Sequence, residues 1–104
     1  MAQAVAQGRP AFVDFTAAWG VTCQYNKATA IRTASAEQAL EQLGYARFVA
    51  DWTNRDAAIS AKLNAFARTG VPLYLIVKRD GGPVVLPELL TEGAFIEALR
   101  AHAK

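Results

Sequence analysis

The sequence predicts an α/β domain: four short strands in a mixed sheet flanked by helices, with a first edge strand missing or short. Three observations carry this. A short β-favouring run, Phe12-Val13-Asp14-Phe15, leads into a helical segment. A second apolar run, Leu73 to Val77, turns back through Arg79-Asp80-Gly81-Gly82 into Val84 to Leu86. Segments with helical periodicity fill the intervals. The 104 residues form one domain, 1–104, long enough to bury about two thirds of the unfolded surface.

Ala2 to Gln7 reads as a helical turn closed by Gly8, and Pro10 marks entry to the first strand. Cys23 to Ile31 reads as helix. Ser35-Ala36-Glu37-Gln38 has the form of a capping box, restarting a helix that runs to Leu43 and stops at Gly44. Tyr45 to Asp51 is a strand built on Phe48 and Val49. Asn54 is the expected N-cap of a helix from Arg55 to Arg68, broken by Gly70, with Ile59, Leu63 and Phe66 on one face. Thr91 caps a final helix that turns Phe95, Ile96 and Leu99 inward. The strand–helix–strand half is then parallel with a right-handed crossover, and the closing half is an antiparallel hairpin followed by a helix.

Composition narrows the function classes. With 53% hydrophobic and 19% charged residues the chain suits a folded globule and not a disordered one. A net charge of +2, scattered along the chain, makes no case for nucleic acid or an anionic membrane. No apolar run approaches the ~20 residues that span a bilayer, and the N-terminus has no signal-peptide pattern. The expectation is a domain excised from a larger protein. One cysteine cannot form an internal disulfide. No metal-ligand cluster or phosphate-binding loop appears, and no cofactor is expected. His102, near the C-terminus on an exposed helix, is not expected to bind a metal or take part in catalysis.

The stretch Phe12-Val13-Asp14-Phe15-Thr16-Ala17-Ala18-Trp19-Gly20-Val21-Thr22-Cys23, with Gly70-Val71-Pro72 far downstream, resembles the thioredoxin superfamily. That superfamily carries a buried Asp on a strand, Trp-Cys-x-x-Cys at a helix start, and a cis-proline loop. Within it, FVDFTAAW, VTCQ, ADWTN and GVPLY are most similar to the C-terminal, thioredoxin-like domain of DsbD-type thiol:disulfide interchange proteins. The resemblance covers nearly the whole chain, with one departure: Gly20 stands where the first, nucleophilic cysteine belongs.

The resemblance implies a thioredoxin-like fold and a periplasmic domain of a bacterial inner-membrane protein. It implies electron transfer from a membrane domain to periplasmic partners, with a link to cytochrome c biogenesis. The partners would be protein thiols and disulfides, namely the transmembrane and N-terminal domains of the same protein. The isolated domain is expected to be monomeric. Disulfide exchange needs an attacking thiolate and a resolving thiol, so Gly20 is expected to leave the chain redox-inactive, through deliberate removal of the nucleophile or natural loss of turnover.

Each site residue has two readings. Cys23 takes the resolving position, or is a small buried hydrophobe with an inert thiol; with no side chain on residue 20 to cover it, it is expected to be more accessible than in a relative with both cysteines. Asp14 is the buried carboxylate that would shuttle a proton, or lies on the solvent face of an edge strand. Trp19 is a platform beside the site, or a core aromatic. Val71 and Pro72 would form the proline loop, offering Val71 backbone groups to an extended peptide. Lys27 is expected to be solvated; Trp52 and Tyr74 are expected to pack. A non-catalytic peptide-binding module is the alternative to the enzyme.

Overall fold

A computed structural model describes residues 8–103; the turn expected over Ala2 to Gln7 lies outside them. The sheet is built around β1 (Ala11–Thr16), all six residues of which are buried. It lies between β2 (Ala46–Asp51) and β3 (Leu73–Val77), with β4 (Pro83–Val85) beyond β3, in the order β2-β1-β3-β4. β1 and β2 run parallel, with Asp14 opposite Val49. The β1–β3 and β3–β4 pairs are antiparallel, with Asp14 opposite Tyr74. This is the mixed four-stranded sheet expected. The central place of β1 removes the solvent-face reading of Asp14, which is 5% exposed.

Alternation along the strands divides the interior into two cores. Phe12, Tyr74 and Ile76 pack with Ile31, Leu40, Phe95 and Leu99 on one face. Val13, Phe15, Leu73 and Leu75 pack with Trp52 and Leu63 on the other. Asp14 has the parity of Phe12, and so faces the first core.

Among the described residues four helices cover the sheet, and their ends differ from expectation for local reasons. α1 (Val21–Asn26) runs into a π-helical turn, Lys27–Ile31. Arg32 N–H there bonds back five residues to the Lys27 carbonyl at 2.8 Å. The wider turn buries both Ala30 and Ile31. α2 (Ala34–Gln42) is capped by Thr33, whose hydroxyl accepts from Ala36 N–H at 3.2 Å. The predicted box at Ser35 does not form, because Thr33 supplies the oxygen two residues earlier and Glu37 is held by Arg32 and Arg47. Gly44 (φ +75°) ends this stretch as expected.

α3 (Ala57–Ala65) starts at Asp56, not Asn54, since Asp56 Oδ1 accepts from both Ala58 and Ile59 N–H. It ends well before Gly70, because Ala67 takes the left-handed conformation (φ 58°) and the Arg68 N–H returns to the Leu63 carbonyl. α4 (Glu92–Ala101) is capped by Thr91 and buries Phe95 and Leu99, as expected. No helix among the described residues is long and apolar enough to cross a membrane.

Candidate functional site

Two loops and the start of α1 converge at the end of β1. Ala18 N–H donates to Thr53 Oγ1 (2.9 Å) and Trp19 Nε1 donates to the Thr53 carbonyl (3.0 Å), so the loop after β1 is tied to the loop after β2. The Trp19 and Trp52 rings lie 5.7 Å apart, and the Arg55 guanidinium sits over both. Arg55 itself takes a positive φ of 53°. Trp19 is half exposed, while Trp52 is buried and donates to Ser60 Oγ at 2.8 Å.

The proline loop reaches the same cluster. Val71 packs against the core that contains Trp52, and a Cβ at Gly70 would stand 3.7 Å from the Trp52 ring. The Val71–Pro72 peptide bond is cis. Trp52 therefore lies between Trp19 and the proline loop, a bridging role that its reading as plain packing missed.

Gly20 is the N-cap of α1, in extended conformation, with no side chain to cap it. Its Cα–H is directed at Cys23: a Cβ built there would lie 2.9 Å from Cys23 Sγ and 3.3 Å from Cys23 Cβ. Bridged cysteines have Cβ atoms about 3.5–4.5 Å apart, so a few tenths of an ångström separate the two positions from that spacing. Cys23 is 1% exposed. Of the two readings of Cys23, the structure shows the small buried thiol: bare backbone at Gly20 does not open a path to the sulfur.

Below α1 lies a polar cluster within the first core. Asp14 faces Tyr74 across the ladder, and Asp14 Oδ1 is buried with no hydrogen-bond partner, as is Thr16 Oγ1. Burial pushes the Asp14 pKa up, against the opposing pull of the Lys27 and Arg32 charges. Lys27 is half buried, so it is not the simply solvated side chain expected. Burial also raises the Tyr74 pKa; the Asn26 hydrogen bond opposes this, and the charges of Asp14 and Cys23 add to it. Asp14, Cys23 and Tyr74, two residues after Pro72, thus share one electrostatic neighbourhood.

Asn26 was not singled out in the sequence, yet it organises this cluster. It is fully buried; its Nδ2 donates to Tyr74 Oη (3.0 Å) and to the Glu88 carbonyl (2.6 Å), and its Oδ1 accepts from Leu90 N–H (3.2 Å). Its position three residues after Cys23, one turn along the same helix face, was the available signal. His102 is the C-cap of α4. Among the described residues no three His, Cys, Asp or Glu side chains gather as metal ligands do.

The order of the mixed four-stranded sheet and the placement of its helices define a thioredoxin-like fold. A family profile described as Thioredoxin-like matches residues 1–78, and the chain belongs to that family. Among solved structures it is similar to the oxidised Neisseria meningitidis DsbD C-terminal domain, at 21% identity and TM-score 0.79, over 97% of this chain and 87% of that one. It is also similar to a Thermus thermophilus thioredoxin, at 18% identity and TM-score 0.76, covering 96% and 78% of the two chains. A Xylella fastidiosa disulphide isomerase gives 15% identity and TM-score 0.69, over 99% and 85%. At these identities the likeness is one of fold. Comparison with curated proteins gives no match.

Proposed function

We propose that the chain is a thiol–disulfide interchange domain of DsbD type whose redox cycle is interrupted at Gly20. In this reading it is one domain of a larger membrane-anchored bacterial protein, facing the periplasm. It would take electrons from the membrane domain and pass them to the N-terminal domain of the same protein. The observation that carries the reading is the aim of position 20: any side chain placed there meets Cys23. With hydrogen at that point the internal disulfide has one sulfur only, and Cys23 is too enclosed to act as the attacker. Asp14 remains as the proton acceptor beneath the site, and Trp19, Val71 and Pro72 as its partner-facing rim.

The test is Gly20→Cys. Reduction of insulin by dithiothreitol should be unaffected by the present chain and accelerated by the variant, which should also lose two free thiols on mild oxidation. A Gly20→Cys protein that folds but forms no internal disulfide would sink the assignment.

A second reading, a non-catalytic peptide-binding module, draws on a different observation. Trp19, Val21 and Tyr25 are all well exposed around the start of α1, an apolar rim that needs no sulfur chemistry to hold an extended peptide. It predicts partner affinity unchanged by Cys23→Ala and reduced by Trp19→Ala.

A further inference from the structure

One cation at the rim of the site has no anion. The Arg55 guanidinium carbon lies 4.8 Å from the centre of the Trp19 ring and 5.1 Å from that of Trp52. The residue is exposed, and it takes part in none of the ion pairs formed among the described residues. The rings engage its charge but accept none of its five N–H donors in the way an oxygen would. The two acids nearest to it in sequence are committed elsewhere. Asp51 Oδ1 accepts from Thr53 N–H at 3.0 Å, and Asp56 Oδ1 caps α3.

The backbone fixes where this side chain starts. Arg55 N–H donates to the Trp52 carbonyl at 2.9 Å, closing a tight turn, and the residue takes a φ of 53°. L-residues seldom adopt that conformation, and asparagine would suit it better. The turn alone therefore gives no reason for arginine. Strain of this kind persists where the surroundings enforce it, and it gathers at ligand-binding places. The surface lies where β1 ends, about 20 Å or more from Gly8, whose carbonyl is held by Arg79 at the opposite end of the sheet.

We propose that Arg55 is a specificity residue of this rim, receiving a Glu or Asp side chain from an extended segment of a protein partner laid across Trp19 and the proline loop. The inference rests on the reading of that rim as the partner-facing surface. Trp52 joins the stack to Gly70 and Val71, so a segment seated on Val71 and Trp19 has the guanidinium within its path. Charge complementarity names the occupant: a planar fork of N–H groups matches a carboxylate through two parallel bonds, which an ammonium cannot copy. Stacked on two indoles, the side chain has already given up part of the freedom that binding would cost.

The test is an NMR titration of the whole chain with short, terminally blocked peptides of Val, Thr and Ser. Each carries one Glu at a different position and is compared with a twin carrying Gln there. At the best position the Glu peptide should bind about tenfold tighter than its twin, with the gap narrowing in salt. The Arg55 Nε–H resonance should move with the Glu peptide and stay in place with the Gln twin. Arg55→Gln should abolish the gap. Arg55→Lys, which keeps the charge and loses the fork, should retain only a small part of it. Arg55→Glu should transfer the preference to peptides with Lys in place of Glu. An arginine that only shields the indoles would weaken all peptides alike when replaced. No binding by any peptide, equal affinity for Glu and Gln at every position, a gap that survives Arg55→Gln or a full gap in Arg55→Lys overturns the proposal. The interchange reading is judged apart: a Gly20→Cys protein that forms its disulfide but shows no Glu preference upholds that reading and removes this one, and the converse pair of results does the reverse.

Discussion

Asp14 and Tyr74 stand directly opposite each other on adjacent antiparallel strands, both buried and on the same face as Phe12. An aspartate in that position holds its proton more tightly in the folded chain than in the unfolded one, burial being the main cause. The folded state therefore binds more protons between the ordinary carboxylate pKa of 3.8 and the raised folded value. Stability should fall as pH rises through that window and then level off. Asp14→Asn, uncharged at all pH values, should remove this slope and stabilise the chain at neutral pH by about 1 kcal/mol or more. Chemical denaturation at a series of pH values reads both effects.

Asn26 should be among the most costly polar positions to change. Asn26→Ala removes three hydrogen bonds and leaves the Leu90 N–H, the Glu88 carbonyl and the Tyr74 hydroxyl without this partner. A loss of about 3 kcal/mol or more is expected in urea unfolding. Asn26→Asp keeps the acceptor for Leu90 but loses both donors, and should cost nearly as much.

Tyr45 ties the entry to β2 to the end of α4 by donating its hydroxyl hydrogen to the Leu99 carbonyl at 2.7 Å. Burial pushes its pKa from 10.0 to about 12, against a smaller opposing effect of Arg79. The folded state keeps the phenol proton where the unfolded state loses it. Stability from this group is complete below pH 10 and lost as pH rises through about 12. Tyr45→Phe should lower stability by about 1–3 kcal/mol at neutral pH and flatten the alkaline limb of the stability curve.

Position 20 can be probed without any redox reaction. Gly20 has an ordinary negative φ of −79°, so alanine meets no backbone penalty there, only Cys23 Sγ at 2.9 Å. Gly20→Ala should destabilise by about 1 kcal/mol and hasten labelling of the thiol by a disulfide reagent. In the Gly20→Ala/Cys23→Ser double variant the crowding should be partly relieved, a coupling that a double-mutant cycle measures. In the unsubstituted chain, labelling of Cys23 should track global unfolding.

The strands and the apolar cores were legible because short apolar runs and their alternation are local patterns. β1, β3 and the inward Phe95 and Leu99 follow from them directly. Helix ends were less so: Thr33 competes with Ser35, and Asp56 with Asn54, and the winner depends on where the chain has already been turned. The stop at Ala67 could not be read, since alanine does not signal a left-handed residue. In the site, the aim of Gly20 and the cis Val71–Pro72 bond agree with the family resemblance, whereas the enclosure of Cys23 depends on a side-chain direction that no motif specifies. Asn26 and the reach of the Lys27 charge to Asp14 are properties of distant segments brought together, and only the folded chain displays them.

The inward turn of the sole cysteine has a consequence for how the molecule weathers its surroundings. A sulfur sealed beneath a helix behaves as one more small aliphatic group, so air, peroxide or glutathione should find little to act on while the chain stays folded. Folding stability should therefore be nearly the same in an oxidising solution as in a reducing one.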